Sequence, residues 1–284
     1  MSRLAYVNGR FVRQTEAAIA VEDRGLQFAD GVYEVVYVSG GRFVDEALHL
    51  ARLKRSLGEI RIAMPMTRAA LGRVLHEVVR RNRVSDGLVY MQITRGAARR
   101  DHAFPAPGPA TLIVTARRMA AYPRDVERWA VAAITRPDER WARCDIKSTG
   151  LLANVLAKQA AREAGAAEAI LVDPAGQVTE GASTTVWIVD ADGRLRTRQL
   201  DRAILPGCTR GALVALLTEA GIAFDEGAFT ADALRTAREV FLTSATSFVK
   251  PVTAVDGRPV GNGGVGLTTR RLFDLFAEHV AGLP

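Results

Sequence analysis

The chain has 284 residues, of which 48% are hydrophobic and 24% are charged, as in typical soluble globular proteins. At about 150 residues per domain this length indicates two domains, and the composition excludes fibrous, low-complexity and disulfide-scaffold classes. The only cysteines, Cys144 and Cys208, match no metal-ligand spacing and are too few for a disulfide framework. We therefore expect a reducing compartment.

Neither a membrane span nor a signal peptide is expected from the sequence. No apolar stretch reaches roughly 18 residues, and charges interrupt the first residues, where a signal peptide needs an apolar core. We therefore expect a cytoplasmic protein that does not bind membranes. The net charge of +7 comes from scattered basic residues. Because these form no long run, we favour a solvated surface or attraction of small anions over nucleic-acid binding.

The first part of the chain predicts two hairpins, then helices and strands. Asn8 and Gly9 separate two apolar runs and supply the positive φ angles of a tight turn, and a second hairpin is centred on Gly40 and Gly41. Periodicity and capping predict the elements that follow: a helix around residues 50–60, a helix over 67–82 capped by Thr67, and strands LVYMQITRG and TLIVTARRM.

The pattern breaks at AAYPRD, because Pro123 cannot continue a helix and disfavours a central strand. We therefore predict three parts. Residues 1–119 form a smaller N-terminal α+β domain, residues 120–124 an interdomain linker, and residues 125–284 a larger C-terminal α+β domain that carries Lys147.

The second part of the chain restarts with the predicted strand WAVAAITR. Ser148 or Thr149 is expected to cap a helix that Gly165 ends. Strands EAILVD, QVTEG and TTVWIVD are predicted to form a meander instead of a βαβ alternation, because turn residues separate them. A helix near Thr209 and the segment REVFLTSATS complete an α+β pattern that does not resemble a doubly wound nucleotide-binding fold.

Two residues are candidates for chemistry. The chain has only four lysines among 38 basic residues. A lysine can therefore mark a position that needs a side chain able to lose its charge, which arginine cannot do. Lys147 precedes a predicted helix whose first amides would favour loss of its proton, as attack on a carbonyl requires. Spacing alone favours an ordinary lysine near a helix cap. Glu180 ends a strand beside Gly181, where the absence of a side chain would let a ligand approach the backbone. The same pattern also occurs where a strand ends in a turn and the glutamate is simply solvated.

Other segments could bind anions. The hydroxyl-rich stretch TSATS and the segment PGCTRG could do so through hydroxyls and amides, although helix caps use the same residues. Arg100 and His102 lie in a proline-containing loop where two donors could converge on one carboxylate, or where the loop is merely solvated. No spacing supports a metal site or a Ser-His-Asp assembly.

Five segments, in order, carry a resemblance: EDRGLQFADGVYEVV, RCDIKSTGLLANVLAKQAAREAG, EAILVDPAGQVTEGASTTVW, ILPGCTRGALV and FLTSATS. Over nearly the whole chain they resemble the class IV pyridoxal-phosphate-dependent aminotransferases, and within that class the D-amino-acid (D-alanine) aminotransferases. The resemblance implies a two-domain α+β fold of the D-amino-acid aminotransferase type, with pyridoxal 5'-phosphate between the domains. It also implies a homodimer, because the family's carboxylate loop crosses a dimer interface.

The resemblance implies a role for each candidate. Lys147 would form the internal Schiff base and move the proton between the substrate α-carbon and C4′ of the cofactor, while Glu180 would keep the pyridine nitrogen protonated. Other cofactor contacts are implied for Arg52, Leu205, Cys208, Thr209, Ser244 and Ala245. Substrate contacts are implied for Tyr33, Ser183, Arg100 of the partner subunit and His102 of the partner subunit.

Two residues depart from the family pattern. Ala245 stands where bacterial D-amino-acid enzymes often have threonine, which removes one hydroxyl from the phosphate site. Asp101 lies between Arg100 and His102 and would weaken the carboxylate site if it paired with Arg100.

The expected activity is transfer of the amino group of D-alanine or a similar D-amino acid to a 2-oxo acid such as 2-oxoglutarate. Arg100 and His102, with GVYEV around Tyr33, favour the D side. The alternatives on the same fold are a branched-chain L-amino-acid aminotransferase, an aminodeoxychorismate lyase and an (R)-amine transaminase. A basic binding protein that has lost the chemistry is the alternative from another class.

Overall fold

The computed structural model describes residues 3–283, which fall into two units. The first reaches Ala121 and includes Ile146–Gly150, and the second consists of Tyr122–Asp145 and Leu151–Leu283. Lys147, which we assigned to the C-terminal domain, thus clusters with the first unit. The division into 1–119, 120–124 and 125–284 stays a prediction, and residues 1, 2 and 284 lie outside the described residues.

An antiparallel sheet forms the first unit. Its strands are β1 (Leu4–Val7), β2 (Arg10–Arg13), β3 (Gly31–Ser39), β4 (Arg42–Phe43), β5 (Gly87–Thr94) and β6 (Thr111–Arg118). Their spatial order is β2-β1-β6-β5-β3-β4. The helices of this unit are α1 (Arg24–Phe28), α2 (Glu46–Glu59) and α3 (Arg68–Arg81).

Local sequence signals account for most of the first unit. Asn8 and Gly9 adopt φ angles of 46° and 93°, which confirms the first predicted turn. The Thr67 hydroxyl accepts the N–H of Ala70 and caps α3 as predicted. The apolar faces of α2 and α3 supply fully buried leucines to the core, among them Leu53. Each such leucine contributes about 1.5–3 kcal/mol by leaving water.

Helix α1 was not predicted, because it has only five residues and no room for a periodic pattern. The side chain of Asp23 accepts the N–H of Gly25 at 2.8 Å and starts the helix. A Cβ on Gly25 would lie 2.2 Å from Cγ2 of Thr94, so only glycine allows α1 to approach β5 this closely.

A larger mixed sheet forms the second unit. Its strands are β7 (Val131–Pro137), β8 (Glu168–Val172), β9 (Val178–Gly181), β10 (Thr185–Val189), β11 (Leu195–Thr197), β12 (Asp225–Glu226), β13 (Glu239–Ser244), β14 (Phe248–Val255) and β15 (Arg258–Pro259). The spatial order is β12-β11-β10-β13-β14-β7-β8-β9, and β15 pairs with β14. The helices are α4 (Val126–Trp129), α5 (Leu152–Glu163), α6 (Cys208–Glu219), α7 (Ala231–Arg235) and α8 (Leu267–Gly282).

The sheet order corrects the predicted meander. Strands β8 and β9 are antiparallel as expected, but β10 pairs with β11 and β13. Strands β7 and β8 are parallel, which requires a crossover, and α5 provides it. A βαβ unit therefore stands where we expected none. The α+β class itself is confirmed.

The predicted cap of α5 is wrong. The helix begins at Leu152, its N-cap residue is Leu151, and no side chain caps it. The hydroxyl of Thr149 instead donates to the carbonyl of Ala29 at 3.1 Å, because residues 147–149 pair with the first unit. The predicted end is confirmed, since Gly165 follows the helix with φ of 72°.

Aromatic side chains of the sheet are among the buried residues of the second unit. The fully buried rings of Trp187 and Phe241 stack with centroids 5.6 Å apart. Trp187 Nε1 donates to Thr243 Oγ1 at 3.1 Å, so its polar atom is satisfied inside the core. None of the helices within residues 3–283 combines the length and apolar character needed to cross a membrane.

Candidate active site

Backbone pairing with β3 places Lys147. The N–H of Tyr33 donates to the Lys147 carbonyl at 3.0 Å, and the N–H of Thr149 donates to the Gly31 carbonyl at 3.0 Å. Ser148 also forms an antiparallel bridge with β3. Lys147 is thus held by strand-like hydrogen bonds, and the helix that we predicted to start beside it, at Ser148 or Thr149, begins only at Leu152.

The side chains of Lys147 and Tyr33 lie together. Lys147 Nζ is 4.2 Å from the centroid of the Tyr33 ring, and both residues are half-buried. The Tyr33 ring stacks on Tyr90 at 5.6 Å. Burial, with a smaller effect from Tyr33, raises the pKa of Tyr90 to about 12, so Tyr90 stays neutral. The structure therefore brings together two of the residues singled out in the sequence.

Arg52, predicted to hold a phosphate, is fixed by a carboxylate that the sequence analysis missed. Arg52 Nε and Nη2 donate to the two oxygens of Glu34 at 2.7 and 2.8 Å. His49 Nδ1 lies 2.8 Å from Oε2 of Glu34, and all three residues are buried. Burial alone would raise the pKa of Glu34, but the charge of Arg52 and hydrogen bonds from Arg52 and His49 lower it to about 2. Glu34 therefore remains ionised and orients Arg52.

Arg100 and His102 occur in an exposed loop of the first unit, where both contact Phe28. The guanidinium carbon of Arg100 lies 4.6 Å from the Phe28 ring centroid, and the His102 ring lies at 5.4 Å. The Asp101 carboxylate accepts the N–H of Ala103 at 3.0 Å. Within the described chain Arg100 and Asp101 form no ion pair, so Asp101 does not occupy the guanidinium.

Glu180 is buried on β9 and is held by groups at both oxygens. Arg140 Nη1 donates to Oε1, and the N–H of Leu205 donates to Oε2 at 3.2 Å. Arg140 also donates to Asp138 at 2.7 and 2.9 Å and to the Ala203 carbonyl at 3.0 Å. Of these residues, Glu180 and Leu205 are predicted from the sequence, and the structure brings them together.

Asp138 and Arg140 stabilise each other in their charged forms. Burial alone would raise the pKa of Asp138, but hydrogen bonds from Arg140 and Thr179 lower it. Burial alone would lower the pKa of Arg140, but the hydrogen bond to Asp138 and the charge of Glu180 raise it. Burial raises the pKa of the neighbouring Cys144 to about 11, so this thiol stays protonated. Glu180 therefore faces a permanent cation.

The predicted phosphate ligands of the second unit lie at element ends. Cys208 and Thr209 are the first two residues of α6, both buried, and no side chain caps this helix. Backbone amides at a helix N-terminus favour anions. Ser244 ends β13, and its hydroxyl lies 2.7 Å from that of Ser247. Ala245 follows directly, half-buried, and adds only its backbone.

Ser183, predicted to contact substrate, is tied to a second missed carboxylate. Its hydroxyl donates to Oε2 of Glu168 at 2.9 Å. Lys158 Nζ donates to Oε1 of the same carboxylate at 3.1 Å, and Glu168 is 2% exposed. Within the described residues no group of three or more histidine, cysteine or acidic side chains is arranged to hold a metal ion.

Two of the missed residues left different signals. Glu34 is the only charged residue in the apolar strand GVYEVVYVS, a pattern that indicates a buried, paired carboxylate. Arg140 lies in PDERW, where neighbouring charges resemble a solvated loop, and nothing local reveals its partner Glu180 forty residues later.

Comparison with known proteins identifies relatives of this chain. Residues 31–255 match the family described as amino-transferase class IV. A D-alanine aminotransferase of Bacillus licheniformis is 42% identical over 93% of this chain and 93% of its own length. A D-alanine aminotransferase of Staphylococcus haemolyticus is 38% identical over 97% of each chain.

Solved structures are similar over the full length. The branched-chain amino acid aminotransferase of T.th., in a crystal structure with pyridoxamine 5'-phosphate, has a TM-score of 0.90 and 28% identity, covering 100% of this chain and 96% of its own. The branched-chain amino acid aminotransferase from Escherichia coli has a TM-score of 0.87 and 26% identity, covering 98% and 94%. On sequence and structure alike, the chain belongs to the class IV aminotransferases.

Proposed function

We propose that this protein is a D-amino-acid transaminase that moves the amino group of D-alanine or a similar D-amino acid to a 2-oxo acid such as 2-oxoglutarate. The observation that carries the proposal is the 42% identity to a D-alanine aminotransferase over 93% of both chains. The solved branched-chain enzymes reach only 26–28% identity, which makes a branched-chain L-amino-acid aminotransferase the second candidate.

The donor chemistry of the chain fits pyridoxal 5'-phosphate. Lys147 offers an amine, and Glu180, ion-paired with Arg140, offers a carboxylate suited to a protonated ring nitrogen. Arg52, Thr209 and Ser244 offer the guanidinium and hydroxyl donors that suit a phosphate, with Cys208 and Ala245 as their neighbours. When bound, this cofactor supplies an electron sink for the substrate α-carbon.

Lys147 and Glu180 have distinct tasks in this proposal. With the cofactor bound, Lys147 Nζ would take the proton from the substrate α-carbon and pass it to C4′ of the cofactor, and in the second half of the reaction it would move a proton in the opposite direction, to the α-carbon of the acceptor. The Tyr33 ring, 4.2 Å away, restricts where Nζ can point. Arg140 and the N–H of Leu205 both donate to the carboxylate of Glu180, which suits it to face a positively charged ring nitrogen.

Substrate recognition in the proposal uses Tyr33, Ser183, Arg100 and His102. The guanidinium of Arg100 has no carboxylate partner in residues 3–283, so its donors can bind a substrate carboxylate in bidentate fashion. Arg100 and His102 would serve the site of the other subunit, which makes a homodimer part of the proposal. We also place the protein in the cytoplasm, consistent with a sequence that contains only two cysteines.

Steady-state turnover of D-alanine with 2-oxoglutarate tests the proposal. We expect pyruvate formation by the wild type and by Lys54→Ala, which changes an exposed lysine on α2. Lys147→Ala should lose turnover and visible absorbance together, because no other group replaces its amine. Turnover of L-leucine but not D-alanine would move the protein to the second candidate. Turnover that survives in Lys147→Ala would contradict both.

A further inference from the structure

The ring of Phe28 touches both donors expected to bind the substrate carboxylate. Phe28 is the last residue of α1, and its ring centroid lies 4.6 Å from the guanidinium carbon of Arg100 and 5.4 Å from the His102 ring. Phe28 lies more than seventy residues from Arg100 and His102 in sequence. One aromatic side chain therefore joins two residues on an otherwise exposed loop.

Helix α1 also holds the residue between these donors. Arg24 Nη1 donates to the carbonyl of Asp101, and Arg24 Nε donates to Asp30 at 2.8 Å. Its guanidinium carbon lies 4.8 Å from the Phe28 ring, and Arg24 is 3% exposed. Because Arg24 is buried and paired with Asp30, its hydrogen bond to Asp101 anchors the loop to α1.

The start of the loop is bound to the same segment by backbone hydrogen bonds. The N–H of Arg24 donates to the Gly96 carbonyl at 2.9 Å, and the N–H of Arg95 donates to the Asp30 carbonyl at 3.0 Å. Asp23 and Ala97 form an antiparallel bridge. These bonds fix the loop as far as residue 98, whereas Arg100 and His102 lie beyond them and depend on side-chain contacts.

The kind of contact matters for the function of Arg100. An ion pair would occupy the guanidinium donors, but a ring face attracts the cation and leaves its N–H groups free. Within residues 3–283 the guanidinium of Arg100 has neither a carboxylate nor a hydrogen-bond partner. Phe28 can thus orient Arg100 without competing with a substrate carboxylate.

We propose that Phe28 is a positioning residue that holds Arg100 and His102 in the arrangement that binds the substrate carboxylate. The inference rests on the proposed function, since it takes the carboxylate role of Arg100 and His102 from there. Phe28 acts through these two residues and contacts no reacting atom in this account.

Kinetics of Phe28→Leu in the holoenzyme provide the first test. We expect KM for D-alanine to rise about threefold to tenfold, the factor that corresponds to losing a cation–π contact of about 0.7–1.4 kcal/mol, with kcat nearly unchanged. Phe28→Tyr keeps the ring and should keep the wild-type KM. Phe104→Leu is the matched control, because Phe104 lies in the same loop but packs on Arg95 at 3.7 Å.

A spectroscopic readout separates positioning from general loosening. The chain has four histidines, so histidine-labelled NMR spectra are simple, and His102→Gln identifies the His102 signal. Removing the Phe28 ring should shift the His102 signal and leave that of buried His49 in place. If Phe28→Leu does not fold, Phe28→Met, a flexible side chain of similar size, replaces it.

The KM of Arg100→Ala, measured in parallel, distinguishes failure of the carboxylate role of Arg100 from failure of the positioning role of Phe28. An unchanged KM in Arg100→Ala would overturn the carboxylate role of Arg100 and this inference with it. A raised KM in Arg100→Ala with an unchanged KM in Phe28→Leu would overturn the positioning role alone. An unmoved His102 signal in Phe28→Leu would do the same.

Discussion

Two buried glutamate–arginine pairs, one in each unit, have similar geometry. They differ in which member of the pair is proposed to contact the cofactor. In the first unit Arg52 binds both oxygens of Glu34 at 2.7 and 2.8 Å, and His49 contacts the same carboxylate. In the second unit Arg140 binds one oxygen of Glu180 while it also binds Asp138. Both glutamates are at most 6% exposed.

The difference lies in which partner meets the cofactor. In the first pair the arginine is the proposed phosphate ligand, and the carboxylate orients it. In the second pair the carboxylate is the proposed partner of the ring nitrogen, and the arginine supports it by donating to one of its oxygens. Burial and pairing alone therefore do not reveal which member of a pair is functional. Neutralising each glutamate should have different consequences, and these can be measured.

Glu180→Gln should give the largest effect. A neutral amide cannot stabilise a positive charge on the ring nitrogen, so we expect kcat to fall about a thousandfold, while the cofactor is retained. Glu139→Gln, an exposed neighbour of Arg140, is the control and should keep full activity. Turnover numbers and bound cofactor measured on the same samples decide the matter. Equal turnover in both variants would remove Glu180 from the mechanism.

Glu34→Gln should act mainly on stability and cofactor affinity. Removing one charge of a buried pair leaves Arg52 uncompensated, so we expect the free energy of unfolding to fall by about 3 kcal/mol. Arg52 would also lose its orientation, which should weaken cofactor binding with little change of kcat at saturating cofactor. Urea unfolding and cofactor titration measure the two effects. A large fall in kcat with normal affinity would place Glu34 with Glu180 instead.

The decrease of folding stability in acid should reflect the same pair of Glu34 and Arg52. The pKa of Glu34 is lowered from 4.5 to about 2, so its stabilising effect is complete above pH 4.5 and is lost as pH falls towards 2. Between pH 5 and pH 3 this loss amounts to about 2 kcal/mol. We expect the stability of Glu34→Gln to fall by that much less over the same range. Parallel curves for the two proteins would contradict a strongly paired Glu34.

Ala245→Thr should have the smallest effect. The substitution adds one hydroxyl beside Ser244, and a hydrogen bond to a charged phosphate contributes about 1.5–3 kcal/mol at best, and less at a half-buried site. We expect the Kd for pyridoxal 5'-phosphate to fall about threefold to tenfold, measured by titration of the apoenzyme. An unchanged Kd would mean that residue 245 contacts the phosphate only through its backbone.

Local patterns predicted the elements whose signals lie within a few residues. Asn8 and Gly9 specify their turn by backbone conformation alone, and Thr67 caps its own helix. Ser148 and Thr149 do not cap a helix, because backbone hydrogen bonds pair their segment with β3. Local capping chemistry could not reveal this competition.

The candidate site divides in the same way. Lys147 and Glu180 could be singled out by chemistry and then by resemblance. Their supports could not, because Arg140 meets Glu180 across forty residues and Phe28 meets Arg100 across more than seventy. Such contacts depend on sheet order and loop path, which short patterns do not encode. Residues with distinctive chemistry are thus easier to single out from the sequence than the residues that contact them in the fold.

A single half-reaction tests the central claim most directly. The purified yellow holoenzyme is mixed without acceptor with D-alanine, and separately with L-alanine and L-leucine, and the visible absorbance band is followed. We predict that D-alanine alone bleaches the band, as expected if Lys147 takes the α-proton and Arg100 and His102 select the D-amino acid. Bleaching by L-leucine alone would contradict the D-amino-acid assignment and leave Lys147 and Glu180 to serve a branched-chain enzyme.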